Sequence, residues 1–132
     1  AYLVECRKRG ARHIVGIESN LDWRLLGHGV LTETGVQGDP DYNYYLYPSI
    51  PINDNYLASD LVLLLSMTHV VIGMTGQEIL DKAYKLTKSN RLLINEINDR
   101  LQKEKLILPK EAVLYGKSKD NRSVYHCIKN NG

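Results

Sequence analysis

The chain has 132 residues, a length that fits one domain with a single hydrophobic core. Its hydrophobic fraction is 43%, its charged fraction is 24%, and no run reaches the roughly 18 apolar residues of a membrane-spanning helix, so we expect no membrane contacts. In the first ten residues the apolar part precedes the basic part, the reverse of a secretory signal, so we expect a cytoplasmic protein. A net charge of +2 lacks the basic excess typical of nucleic-acid-binding domains, and two cysteines with four scattered histidines predict neither a disulfide framework nor a metal site.

The first elements are a helix end and a strand. Apolar residues followed by Arg-Lys-Arg over residues 2–9 predict the last turns of a helix, because basic side chains complement the negative end of the helix dipole. Gly10 is the predicted helix stop. The β-branched run HIVGI (13–17) predicts a short strand buried on both faces, and it is followed directly by the acid Glu18.

The next forty residues give weaker signals. Residues 21–35 have apolar side chains at helical spacing, although two glycines lower the helix propensity. The apolar residues of this predicted helix are Leu21, Leu25, Leu26 and Val30. From 36 to 59 the chain is rich in Gly, Pro, Asp and Asn, which indicates turns around one strand within NYYLYPSI.

The segment ASDLVLLLSMTHVV gives the clearest strand signal. Leu61–Leu65 are apolar without alternation, which predicts a central parallel strand covered on both faces. Polar residues then follow at its carboxyl end, namely Ser66, Thr68 and His69.

An amphipathic helix follows in GMTGQEILDKAYKL. Thr75 is its predicted cap, and Glu78 three residues later completes a capping box. Its predicted buried stripe consists of Ile79, Leu80, Ala83 and Leu86.

The last third of the chain predicts two kinds of strand. RLLINEI (91–97) is typical of a short buried strand, and NDRLQKEKLIL predicts a second helix or a helix running into a turn. Two β-rich runs, 112–115 and 123–128, flank a Gly-Lys-Ser-Lys-Asp-Asn turn and predict a hairpin. The whole order predicts an α/β fold with a mostly parallel sheet.

Four segments in this order resemble the back two thirds of a class I S-adenosylmethionine-dependent methyltransferase. The segments are RGARHIVGIESN, ASDLVLLLSMTH, EILDKAYKLTKSNRLLINEI and AVLYGKSKDNRSVYHCIKN. They resemble, respectively, the second strand with its terminal acid, the fourth strand, the following helix with the fifth strand, and the closing antiparallel pair. Together they cover about residues 2–20 and 58–130.

The resemblance implies a single domain over 1–132 with a three-layer, Rossmann-like, mostly parallel sheet and a C-terminal antiparallel hairpin. The first strand and the Gly-rich loop of that family have no counterpart here. Either the chain is incomplete at its N-terminus, which is the interpretation we favour, or it is a relative that has lost this motif together with the activity. The second and fourth strands would then have no common neighbour in the centre of the sheet, which leaves an apolar edge.

The resemblance further implies S-adenosylmethionine as cofactor. Glu18 would accept hydrogen bonds from the vicinal hydroxyls of the cofactor ribose, with Asn20 beside it. The other implied cofactor-binding residues are Ser49, Ile50, Ser66 and Met67. The alternative for Glu18 is a solvated strand end that stabilises a turn through Ser19 and Asn20.

The acceptor side is less defined. His69 is the candidate general base toward an oxygen or nitrogen acceptor, because its pKa suits neutral pH. The alternative is a histidine at a helix start with no chemical role. Thr68, Lys117 and Arg122 are candidate contacts for the acceptor, which would be RNA or a small molecule.

Two other functions fit the sequence. Residues 57–130 could form a winged-helix module that binds DNA through a recognition helix over 90–103. Its groove-facing residues would be Asn90, Arg91, Asn95 and Arg100. A methyltransferase-like subunit without activity, used to bind a partner, has the same predicted fold as the enzyme.

Overall fold

A computed structural model of the chain describes residues 2–34, 43–47, 57–65, 73–96 and 105–129. In these residues the protein is a mixed α/β structure, and it divides into two compact units, Ala1–Asp54 and Asn55–Gly132. Among the described helices, none is both long enough and apolar enough to cross a membrane.

In the first unit, the residues that the structure describes form two helices and a pair of parallel strands. In chain order its elements are α1 (Tyr2–Lys8), β1 (His13–Ile17), α2 (Leu21–Thr34) and β2 (Asn43–Tyr47). Strand β1 pairs with β2 over its whole length. Two parallel strands that are consecutive in the chain require a crossover connection, and α2 lies in that connection.

Helix α1 ends at the predicted glycine. Gly10 has φ of 95°, in the left-handed region that favours glycine, and its N–H donates to the Arg7 carbonyl at 3.0 Å. The Ala11 N–H donates to the Cys6 carbonyl at 3.0 Å. These two bonds form a Schellman motif, which satisfies the last carbonyls of the helix and turns the chain into β1.

Helix α2 forms where it was predicted, but the three leucines of the predicted apolar pattern are not buried. Leu21, Leu25 and Leu26 are exposed, whereas Leu31 is buried. The spacing predicted a helix, but apolar residues lie nearly all round this one, so the sequence did not indicate which side packs against the unit. Likewise, β1 is less buried than predicted, with Ile14 buried and His13 exposed.

The described residues of the second unit form a four-stranded sheet and one helix. Its elements are β3 (Ser59–Leu65), α3 (Gly76–Leu86), β4 (Thr87–Glu96), β5 (Ala112–Lys117) and β6 (Ser123–Ile128). The strand order is β3-β4-β6-β5, with β3 and β4 parallel and the other two pairings antiparallel. The predicted hairpin is therefore confirmed as β5–β6, and the predicted strand over 91–97 is confirmed for residues 91–96.

Two expectations for this unit require correction. The winged-helix interpretation needs a helix over 90–103, but residues 90–96 belong to β4, which runs parallel to β3. Strand β3 was predicted to be central and covered on both faces. It is instead the end strand of the described sheet, and Leu61 on it is exposed while Leu64 is buried.

Helix α3 packs on this sheet as predicted. The Glu78 N–H donates to the Thr75 hydroxyl at 3.2 Å, and the Thr75 N–H donates to the Glu78 carboxylate at 2.8 Å, which is the complete capping box. The buried core cluster combines the helix stripe with two strand residues and consists of Leu64, Ile79, Leu80, Ala83 and Cys127. Leu86, the fourth predicted stripe residue, is half-buried.

The C-terminal end of α3 is capped by Lys129, which follows β6. The Lys129 ammonium donates to the carbonyls of Tyr84 and Thr87 at 3.1 and 3.0 Å, and it lies 4.6 Å from the centroid of the Tyr84 ring. The Tyr84 hydroxyl in turn donates to Glu111 at 3.1 Å. Burial, and next the bond to Glu111, raise the pKa of Tyr84. These contacts join α3, the start of β5 and the end of β6.

The capping box provides a stability test. We expect Thr75→Ala to lower the free energy of unfolding by about 1 kcal/mol, because the Glu78 N–H loses its acceptor. Thr75→Ser keeps the hydroxyl and should stay close to wild type. Urea denaturation of the three proteins measures the difference, and equal loss in both variants would contradict a capping role.

The buried thiol provides a pH test. Cys127 is fully buried, and this burial raises the pKa of its thiol above the ordinary value of 9.0. Above that pH the unfolded chain loses the thiol proton while the folded protein keeps it. The free energy of unfolding should therefore fall as pH rises beyond about 9.

The contribution of Cys127 is isolated by comparing variants in urea denaturation between about pH 7 and about pH 10. Cys127→Ala should show a shallower decline than wild type. Tyr84→Phe is the control, because it removes the other group with a raised pKa and should leave the Cys127 contribution in place. Parallel declines in wild type and Cys127→Ala would contradict the assignment.

Candidate functional site at the β1–α2 turn

Three residues connect β1 to α2, namely Glu18, Ser19 and Asn20, and we call this segment the β1–α2 turn. Asn20 is the N-cap of α2, because its Oδ1 accepts a hydrogen bond from the Trp23 N–H at 3.1 Å. The turn therefore ends in a fixed helix start. Asn20, predicted as a cofactor contact, thus has its side-chain oxygen engaged within the protein.

The Glu18 carboxylate is bonded within the same turn. Its Oε1 accepts from the Asn20 N–H at 2.9 Å, and the residue is half-buried. The turn-stabilising role that was the alternative for Glu18 is thus present. A carboxylate has about four lone-pair sites, so one bond to the backbone leaves it able to accept from a ligand. The two roles are compatible.

Arg24 fixes the turn from the helix side. Its Nη1 donates to the Glu18 carbonyl at 2.9 Å and to the Ser19 carbonyl at 3.3 Å. Sequence reasoning missed this residue. The available signal was its place in the first turn of a helix, where a positive charge opposes the helix dipole and so needs another favourable partner.

The chemistry of this turn is that of a hydrogen-bond acceptor. It presents a carboxylate at the carboxyl end of a parallel strand, which is where ligands bind in parallel sheets. Trp23 is 64% exposed on the first turn of α2, so its ring is accessible for stacking. In the part of the chain that is described, no group of three or more His, Cys, Asp or Glu residues could hold a metal ion.

Most of the other predicted site residues lie outside the described residues. They are the adenine contacts, the polar cluster after β3 and the candidate base, namely Ser49, Ile50, Ser66, Met67, Thr68 and His69. The structure brings Glu18 and Asn20 together, and the roles of these six residues stay predictions.

Lys117 and Arg122 are described, and they lie in the second unit at the β5–β6 turn. Arg122 forms an ion pair with Asp120, with 2.8 Å between Nε and Oδ2. The Ser118 hydroxyl donates to Asp120, and this bond is the main reason that the pKa of Asp120 is below its ordinary value. Arg122 therefore helps to hold the turn, while Lys117 is exposed at the end of β5.

The role of Arg24 can be tested by hydrogen exchange. Arg24→Met removes both bonds to the turn carbonyls, and we expect the Asn20 amide to exchange about five-fold faster, since bonds of this kind contribute about 1 kcal/mol. Arg24→Lys can still donate to one carbonyl and should give a smaller change. Unchanged exchange in Arg24→Met would mean that the guanidinium does not fix the turn.

Comparison with known proteins assigns no family to this arrangement. No protein family, no curated protein and no solved structure matches the sequence. The features that bear on function are therefore the strand order, the position of Glu18 and the contacts that hold the β1–α2 turn.

Proposed function

We propose that the chain is a class I S-adenosylmethionine-dependent methyltransferase domain in which Glu18 binds the cofactor ribose. The supporting observation is the carboxylate at the carboxyl end of β1, in a parallel pair, held by the β1–α2 turn. The order β3-β4-β6-β5, a parallel pair extended by an antiparallel hairpin, fits the same proposal.

The proposed fold has three layers, a Rossmann-like sheet with helices on both faces. Strand β3 ends the described sheet of the second unit, and exposed Leu61 lies on it. The resemblance puts a further strand on that side of β3. A further strand beside β3 would cover this apolar edge, whereas an uncovered apolar strand edge favours aggregation.

Ribose binding follows from the chemistry of Glu18. A carboxylate accepts charge-assisted hydrogen bonds from two vicinal hydroxyls, which are stronger than bonds between neutral groups and select for a diol. The Asn20 N–H and the Arg24 contacts to the turn restrict the orientation of this carboxylate before a ligand arrives. Less conformational freedom is then lost on binding.

The cofactor, when bound, would supply a sulfonium methyl group for transfer to an oxygen or nitrogen lone pair of the acceptor, with the thioether S-adenosylhomocysteine as the leaving group. The protein mainly has to align the two reactants, because this alignment alone can remove a large part of the activation free energy. In the proposal His69 accepts the acceptor's proton where one must leave, and Thr68, Lys117 and Arg122 contact an RNA or small-molecule acceptor.

Cofactor binding is the experiment that tests the proposal. We expect S-adenosylhomocysteine to bind the full-length natural protein in calorimetry, and Glu18→Gln to weaken binding by roughly ten-fold or more, through loss of charge-assisted bonds. Glutamine suits this test because its amide oxygen can still accept from the Asn20 N–H, so the turn is retained.

The matched control is Glu33→Gln, which removes an exposed carboxylate from the other end of α2. It should bind like wild type. If Glu18→Gln binds S-adenosylhomocysteine as tightly as wild type does, Glu18 does not bind the ribose. No binding to wild type at all removes the methyltransferase and leaves a partner-binding subunit of the same fold as the function to test.

A further inference from the structure

Strand β5 has an exposed apolar edge. It is the last strand of the order β3-β4-β6-β5, so among the described strands only β6 pairs with it. Three consecutive residues of β5 are strongly exposed: Val113 at 56%, Leu114 at 54% and Tyr115 at 79%. An edge that combines unpaired backbone groups with large apolar side chains is a template for another strand.

The apolar side chains of β5 lie on both faces of the sheet. Ala112, opposite Cys127, faces the core that packs against α3. Tyr115 contacts the His126 ring edge-on, with 5.8 Å between the centroids, and Val113 lies opposite the same histidine. A neighbour along the edge would therefore cover apolar side chains on both sides of the sheet, as an added strand does.

We propose that β5 pairs antiparallel with β5 of a second copy of this chain, about a two-fold axis at Leu114. In this register Leu114 lies opposite itself and Val113 lies opposite Tyr115, an aromatic pair with a β-branched residue of the kind that stabilises sheets. Each of the three exposed residues 113–115 therefore lies opposite an apolar residue of the other copy. Ala112 and Gly116, on either side of these apolar residues, are both small.

Charge complementarity selects the second copy as the partner. Glu111 and Lys117 are three residues from Leu114 on either side, so the pairing sets Glu111 of each copy opposite Lys117 of the other. Opposite charges facing each other across strands are favourable, and the symmetry supplies two such pairs.

The neighbouring registers are worse. An axis at Tyr115 also sets Glu111 opposite a lysine, Lys119, but it sets apolar Val113 opposite the charged Lys117. An axis at Val113 sets Glu111 opposite Tyr115 and sets Pro109, which has no N–H, opposite Lys117. The register at Leu114 alone among these three matches apolar residues with apolar residues and opposite charges with each other.

The dimer should be weak and reversible. The ladder between β5 and β6 shifts register between Leu114 and Gly116, and such a bulge increases the local twist of the strand. The proposed pairing covers only residues 111–117, and a single strand pair falls at the small end of protein interfaces. This inference does not depend on the proposed methyltransferase activity.

Analytical ultracentrifugation of the full chain, over roughly micromolar to half-millimolar concentrations, tests the pairing. Wild type should pass from monomer to dimer. Lys117→Glu should raise the dimer dissociation constant about ten-fold, because two attractive pairs become repulsive. Leu114→Lys should abolish the dimer, and combining Glu111→Lys with Lys117→Glu should restore the charge match and the affinity.

Lys119→Glu is the matched control, since it makes the same charge change in the turn, opposite Pro109 in the proposed register. It should dimerise like wild type. Circular dichroism checks that each variant is folded. The double variant also loses the Tyr84–Glu111 bond and can be unstable for that reason alone. If it does not fold, the result for Lys117→Glu decides the outcome. A monomeric wild type, or a greater loss in Lys119→Glu than in Lys117→Glu, overturns the proposal.

Discussion

Parallel pairing of strands that are consecutive in the chain is the constraint on which both units depend. Such strands need a crossover between them, and the crossovers contain α2 in the first unit and α3 in the second. A crossover helix has to bury one side, and α3 does so through Ile79, Leu80 and Ala83. As a result the carboxyl ends of each parallel pair lie at one edge, and Glu18 follows β1 at such an edge.

The elements that could be predicted are those whose signals are local. Thr75 and Glu78 determine the start of α3 within four residues, and the β5–β6 turn is short enough for its own polar residues to define it. The boundary between α3 and β4 was less predictable, because the strand begins at Thr87 directly after the helix. The Thr87 hydroxyl donates to the Ala83 carbonyl at 2.9 Å in a buried position, so one residue ends the helix and begins the strand.

The candidate site divides in the same way. Glu18 was predictable, since an acid directly after an apolar strand is visible in the sequence. Arg24 was not, because its partners are main-chain carbonyls of Glu18 and Ser19, whose directions depend on the backbone of the turn. The exposed leucines of α2 were unpredictable for a related reason: an evenly apolar helix carries no directional pattern.

The bond between the Asn20 N–H and Glu18 at first favours a purely structural role for the carboxylate. Its energetic effect is different. Without that bond, a ligand would have to immobilise a flexible side chain, at a cost of about 0.5–1.5 kcal/mol. The N-cap and the Arg24 contacts restrict it beforehand, as the folding of α2 already requires. Because the carboxylate keeps acceptor capacity after making this bond, the turn contact would lower the cost of the proposed diol binding and would not compete with it.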